Sequence, residues 1–120
     1  MNRKMNTNLI SVYNIVNSPF CVDAEDGLKI YELLHKAISE KKHVTVSFKG
    51  IELVITAFLN TAIGKLYEDF DQMTIDKYLD KIDLMDVFEP TWEKVVTGAP
   101  IYYKNRDGIE KDVDNIIEGK

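Results

Sequence analysis

Few side chains in this sequence are equipped for chemistry, and their spacing suits it poorly. His35 and His43 are the two histidines. A zinc site would need a second His or Cys at ligand spacing, and neither has one. His35 falls at a largely apolar helical position, which predicts an imidazole satisfied at the edge of a core. Cys21 is the single cysteine. With no neighbouring base in sequence to depress its pKa, it reads as an inert, half-buried thiol. Asp76, Asp80, Asp83 and Asp86 recur every three or four residues. Paired carboxylates can hold a divalent cation or move protons, but the alternating oxygen ligands and central glycine of a calcium loop are missing. A solvated helix face is the expectation. The six glycines are isolated, so no loop cradles a phosphate. Trp92, Tyr102 and Tyr103 lack the basic groove of a base-stacking platform and read as core and hinge packing. No catalytic residue, metal ligand or cofactor is predicted, and the chain reads as non-enzymatic.

One stretch stands out by its smallness. Ala57, Asn60, Thr61 and Gly64 fall near i, i+3, i+4 and i+7, opposite the apolar stripe of a predicted helix. Glycine inside a helix costs about 1 kcal/mol relative to alanine, so it usually has a packing reason. A smooth face of this kind admits another backbone closely. It would serve either as a docking ridge for a partner protein or as a seat for the domain's own sheet or first helix.

The elements that must carry these residues follow from periodicity. Residues 9–16 are β-branched and aromatic and close at Asn17-Ser18-Pro19, predicting a strand and turn. Asp23 followed by Asp26 suggests a capping box opening a helix over 24–41, with Leu28, Tyr31, Leu34, His35 and Ile38 on one face. Residues 44–48 alternate as a short strand before Gly50. Thr56 is placed as the cap of a second helix whose stripe is Leu59, Ala62, Ile63, Leu66 and Phe70. Asp71 caps a helix over 72–79, residues 82–84 make a brief strand, and a last helix spans 88–98 until Gly98 and Pro100 stop it. Strands alternating with helices predict an α/β domain over residues 1–104, then a flexible polar tail over 105–120 whose fragment Val113-Ile116-Ile117 is too short to be stable alone.

A chain of 120 residues is long enough for one domain with its own core. The lone cysteine suits a reducing cytoplasm, and neither a membrane span nor a signal peptide is visible. The net charge of −5 is concentrated in residues 68–93, which carry nine acids against Lys77 and Lys81. That field disfavours nucleic acid and would attract a basic protein surface.

Three segments, Asp26-Gly27-Leu28-Lys29-Ile30-Tyr31-Glu32-Leu33-Leu34, Val44-Thr45-Val46-Ser47-Phe48-Lys49-Gly50-Ile51 and Ile55-Thr56-Ala57-Phe58-Leu59-Asn60-Thr61-Ala62-Ile63-Gly64-Lys65-Leu66-Tyr67, together resemble the STAS-like domain family of unknown function over roughly residues 10–104. That family is similar to the STAS domains of bacterial anti-sigma-factor antagonists. The resemblance implies a small domain with a mixed sheet and flanking helices, no cofactor, and function through protein contact. In the antagonists a serine opening a helix is phosphorylated by a partner kinase that is also the anti-sigma factor. Here that position is Ala57, which has no hydroxyl, and Thr56 stands where an acid usually precedes it.

The expectation is therefore a cytoplasmic, non-enzymatic regulator of bacterial or phage origin, monomeric or homodimeric, in a partner-switching or defence-type system. It would dock an ATPase-like kinase or anti-sigma-like protein through Thr56, Ala57, Asn60, Thr61 and Gly64, with Thr56 as the candidate phosphorylation site. A bulky residue at Ala57 or Gly64 should then abolish docking and spare the fold. The alternatives are a small-ligand, nucleotide-type sensor and a phage-encoded inhibitor whose acidic surface binds a basic protein.

Overall fold

The computed structural model describes the backbone of residues 7–118 and the side chains of residues 8–105. The chain runs β1 (Thr7–Ser11), α1 (Val12–Val16), β2 (Phe20–Cys21), α2 (Ala24–Ser39), β3 (His43–Ser47), β4 (Leu53–Val54), α3 (Thr56–Ala62), a 3-10 segment (Gly64–Glu68), α4 (Gln72–Tyr78), β5 (Leu79–Ile82), a short 3-10 turn (Asp86–Phe88) and α5 (Glu89–Glu118). The α/β class expected from the sequence is the one adopted. β3 lies between β1 and β5, and a separate ribbon joins β2 to β4. All three described pairings are parallel, with Ser11 opposite Ser47, Ser47 opposite Ile82, and Cys21 opposite Val54. Val44 and Val46 are fully buried in the central strand, as the middle of a parallel sheet requires. Ile30, Leu34 and Ile38 of α2 and Phe58, Leu59 and Ile63 of the α3 region are buried with them in the core.

Several local expectations are corrected. Residues 9–16 are not one strand: Ser11 accepts a hydrogen bond from Asn14 N at 3.2 Å and opens α1, and Asn17 closes it in the left-handed conformation at φ 62°. Local capping thus overrides the β preference of Val12, Ile15 and Val16. At α2, Asp23 holds the cap position but makes no side-chain cap bond, and Asp26 pairs with Lys29 at 3.5 Å. The buried face of α2 is Gly27, Ile30, Leu34, Ala37 and Ile38, so that of the expected stripe Leu34 and Ile38 are buried, Tyr31 and His35 half-buried and Leu28 exposed. Thr56 is the first helical residue of α3, and the cap position belongs to Ile55, again without a side-chain cap bond. Asp71 does cap α4, accepting from Thr74 N at 2.8 Å, and hydrogen bonding from the Thr74 side chain first, then from its amide, holds the carboxyl below the usual range.

The last strand is Leu79–Ile82 rather than 82–84, ended by Asp83 at φ 62°. α5 does not stop at Gly98 or Pro100 but continues to Glu118. Pro100 removes one intrahelical donor, and the helix is held on either side of it by Val95 and Ala99 and by half-buried Tyr103. The expected tail, 105–120, concerns side chains that from 106 onward lie outside those described. Trp92 anchors the start of α5. It meets Phe48 edge-on at 6.2 Å and carries Lys81 over its face at 5.2 Å, while Lys81 also pairs with Glu89 at 3.1 Å.

The glycines give a direct test of this packing. A Cβ on Gly27 would lie 2.8 Å from the Phe58 carbonyl oxygen, whereas one on Gly98 would meet nothing within 4 Å. Gly27→Ala is expected to destabilise the domain by roughly 1–3 kcal/mol, and Gly98→Ala to stabilise it by roughly 0.5–1 kcal/mol. Thermal unfolding of the two variants reads both signs. Cys21 is fully buried, and burial, with Asp26 adding to it, pushes its thiol up to about 12. It should resist a thiol reagent at mildly alkaline pH in the native state and react fully once the chain is unfolded.

Candidate functional site

The small-residue face expected on one helix does not stay together as a ridge, because α3 ends at Ala62 and Gly64 opens the 3-10 segment. Thr61 turns toward α2: its Cβ would lie 3.2 Å from a Cβ on Gly27, and its hydroxyl donates to the Ala57 carbonyl at 3.3 Å. Gly64 is buried beneath α5, where an added Cβ would lie 3.4 Å from Val95 Cγ1 and 3.6 Å from Ala99 Cβ. The smoothness at Gly64 therefore serves the domain's own last helix. Ala57 and Asn60 remain exposed and Thr56 is half-buried.

What results is a groove between α3 and α5 of about 350 Å³. Thr56, Asn60 and Gly64 form one wall, and Gly98, Ala99 and Tyr102 face them from α5. Lys94, Val95 and Tyr103 complete the lining. Tyr102 and its neighbour Ile101 are 59% and 58% exposed, and the two tyrosine rings meet edge-on at 4.9 Å. The groove thus pairs an open apolar and aromatic flank with an amide, a hydroxyl and an ammonium. Its α5 wall was hidden from sequence reasoning because the helix was expected to end at Gly98. The signal for it lay in Gly64, whose smallness asked for a neighbour.

A second constellation was also missed. His35 Nε2 lies 2.9 Å from Asp69 Oδ2, and Ser39 Oγ lies 3.3 Å from His35 Nδ1. The imidazole sits between the rings of Tyr31 and Phe70, at 5.4 and 4.8 Å. Burial first, then Asp69, raises the Tyr31 hydroxyl, with Lys65 opposing from 5.4 Å above the ring. Serine, imidazole and carboxylate in line could activate a nucleophile. Here, however, they lie at the carboxyl end of α2, where the helix presents carbonyls and the negative end of its dipole to any developing oxyanion. The arrangement works as a clamp tying α2 to the turn before α4. The i, i+4 spacing of His35 and Ser39 was legible, but Asp69 is 34 positions from His35.

Among the described residues no group of three or more His, Cys, Asp or Glu is arranged to hold a metal ion, and no helix is long and apolar enough to cross a membrane. The chain belongs to the family described as a STAS-like domain of unknown function, whose model matches residues 26–87, just over half of its length. No curated protein and no solved structure matches it. The matched span contains α2, β3 and α3 but stops short of α5, so the groove takes one wall from inside it and one from outside.

Because Gly64 seats α5, a bulky residue there should act on the fold first, contrary to the expectation from sequence. Gly64→Leu is expected to cost roughly 1–3 kcal/mol by overpacking and to shift Trp92 emission to the red as α5 loosens. Gly64→Ala, whose added atom finds ordinary van der Waals distances, should retain the native spectrum.

Proposed function

We propose that this STAS-like domain is a non-enzymatic protein-interaction module that docks a partner across the α3 face and the α3/α5 groove. The observation that carries the reading is the composition of that surface. Thr56, Ala57 and Asn60 offer a low relief on which a partner backbone can lie, and Tyr102 and Ile101 stand exposed beside it. Tyrosine is enriched among the residues that dominate binding energy at protein interfaces. A small-molecule site would ordinarily enclose most of its ligand, and this groove is open along α5. Gly64 contributes by holding α5 close rather than by touching the partner. An ATPase-like kinase or anti-sigma-like protein in a bacterial or phage partner-switching or defence-type system is the partner class most in keeping with the fold. Phosphorylation of Thr56 would add negative charge to the groove beside Lys94 and so alter docking.

One observation favours a second reading. Lys94, Asn60 and two tyrosines around the same volume could hold a small anionic ligand such as a nucleotide. Binding of that kind would raise the melting temperature in proportion to ligand saturation.

Native mass spectrometry of the tagged protein taken from its own cells tests the main reading against an Asn60→Arg variant. The expected result is a stoichiometric protein partner on the wild type, its loss in the variant, and equal melting temperatures for both. A phosphate-sized mass mapped to Thr56 would establish the switch. A partner retained by Asn60→Arg would remove the groove from the interface, and a bare chain stabilised by a nucleotide would support ligand sensing instead.

A further inference from the structure

The carboxyl ends of β3 and β5 lead into two loops that face each other, residues 48–52 and 83–86. They are tied together by Phe48 N donating to the Ile82 carbonyl at 3.0 Å, one step beyond the strand ladder. The first loop is fixed further by Ile51 N donating to the Phe48 carbonyl at 3.0 Å. Gly50 makes its turn at φ 86°, where an added Cβ would lie 3.2 Å from the Tyr13 ring. Between the loops lies an open depression of about 630 Å³. Phe48, Ile51 and Leu84 back it from the core, where they are buried, and the apolar side chain that stands open at its edge is half-exposed Met85. Carboxyl ends of parallel strands are the usual place for a site in such sheets.

The rim is acidic in a particular way. Within the acidic run Glu68 pairs with Lys65, Asp69 with His35 and Glu89 with Lys81, and Asp71 caps α4, while Asp76, Asp80 and Glu93 stand exposed on other surfaces. Glu52, Asp83 and Asp86, which rim the depression, are exposed and have no ion-pair partner among the described residues. Lys49 is the one cation in the lining. Beside the rim, Val87 and Ile82 are 68% and 42% exposed. Exposed Met85, Val87 and Ile82 beside unpaired carboxylates select an occupant with an apolar anchor and positive flanks. Nucleic acid offers the wrong charge. A second copy placed by two-fold symmetry would set the same acids against each other.

We propose that this depression docks a cationic segment of a partner protein, an apolar side chain resting against exposed Met85 and Val87 while flanking Lys or Arg residues meet Glu52, Asp83 and Asp86. The site is separate from the α3/α5 groove and does not depend on it. Attraction of this kind speeds encounter and fixes orientation, and it weakens as salt rises.

The test is an amide chemical-shift titration of the full chain with a short peptide carrying a central leucine flanked by arginines, with the citrulline version as control. Shifts are expected at residues 48–52 and 83–87, with affinity falling severalfold as salt rises from about 50 to about 300 mM. The triple change Glu52→Gln, Asp83→Asn, Asp86→Asn should weaken binding by about fivefold or more at unchanged melting temperature. Lys49→Gln should tighten it, a gain that no loss of fold could mimic. Asn60→Arg should leave it unchanged, which separates this site from the groove. Absence of shifts, shifts spread over Asp71, Asp76 and Asp80, equal binding of the citrulline peptide, or undiminished affinity in the triple variant would each overturn the proposal.

Discussion

The architecture turns on a contact that contains no side chain. α2 meets α3 at Gly27, so close to the Phe58 carbonyl that no larger residue fits without movement. Close-packed interiors resolve such crowding by shifting whole elements rather than by compressing. The approach fixes which face of α2 is buried: Gly27 and Ile30 face inward, leaving Leu28 in solvent and His35 at the margin. It also fixes α3, with Phe58, Leu59 and Ala62 inward and Thr61 against α2, and so determines which residues of α3 remain for anything else. A second glycine, Gly64, repeats the device on the other side and admits α5. The groove is the space left between a helix fixed by Gly27 and a helix admitted by Gly64.

Charge is arranged around this frame with a similar division of labour. The acidic run of residues 68–93 reads in sequence as one field, but the fold spends part of it locally. Asp69 clamps His35, Glu89 fixes Lys81 over Trp92, and Asp71 starts α4. Exposed pairs of this sort stabilise little individually, yet His35 and Asp69 join elements 34 positions apart. Three exposed acids, Glu52, Asp83 and Asp86, stand where β3 and β5 end, and the groove carries Lys94. The domain therefore presents two surfaces of different chemistry, one small-residue and aromatic, the other apolar with a negative rim.

How much of this was legible in the sequence follows from where each determinant lies. α2 and α4 could be placed because their periodicity and first-turn residues are local. The existence of the ridge on α3 was visible because Ala57, Asn60, Thr61 and Gly64 share helical spacing. Its division was not, since the neighbours that claim Thr61 and Gly64 are Gly27, Val95 and Ala99, all more than 30 residues away. β2 and β4 are two residues each, too short for any alternation to register, and exist because Pro19 and Cys21 carbonyls receive the Glu52 and Ile55 amides. α1 sits in a β-branched run where one serine cap outweighs propensity. α5 crosses a Gly-x-Pro stop that local rules read correctly as a break, and tertiary anchoring by Val95, Ala99 and Tyr103 overrides it.

The central claim is that the surface shaped by the two glycines is where a partner protein sits. Hydrogen exchange of the partner-bound protein against the free protein measures this without any substitution. Added protection over residues 56–64 and 94–103, with the β-sheet amides unchanged, is the predicted outcome. Protection confined to other surfaces, with those two segments exchanging as in the free chain, would contradict it.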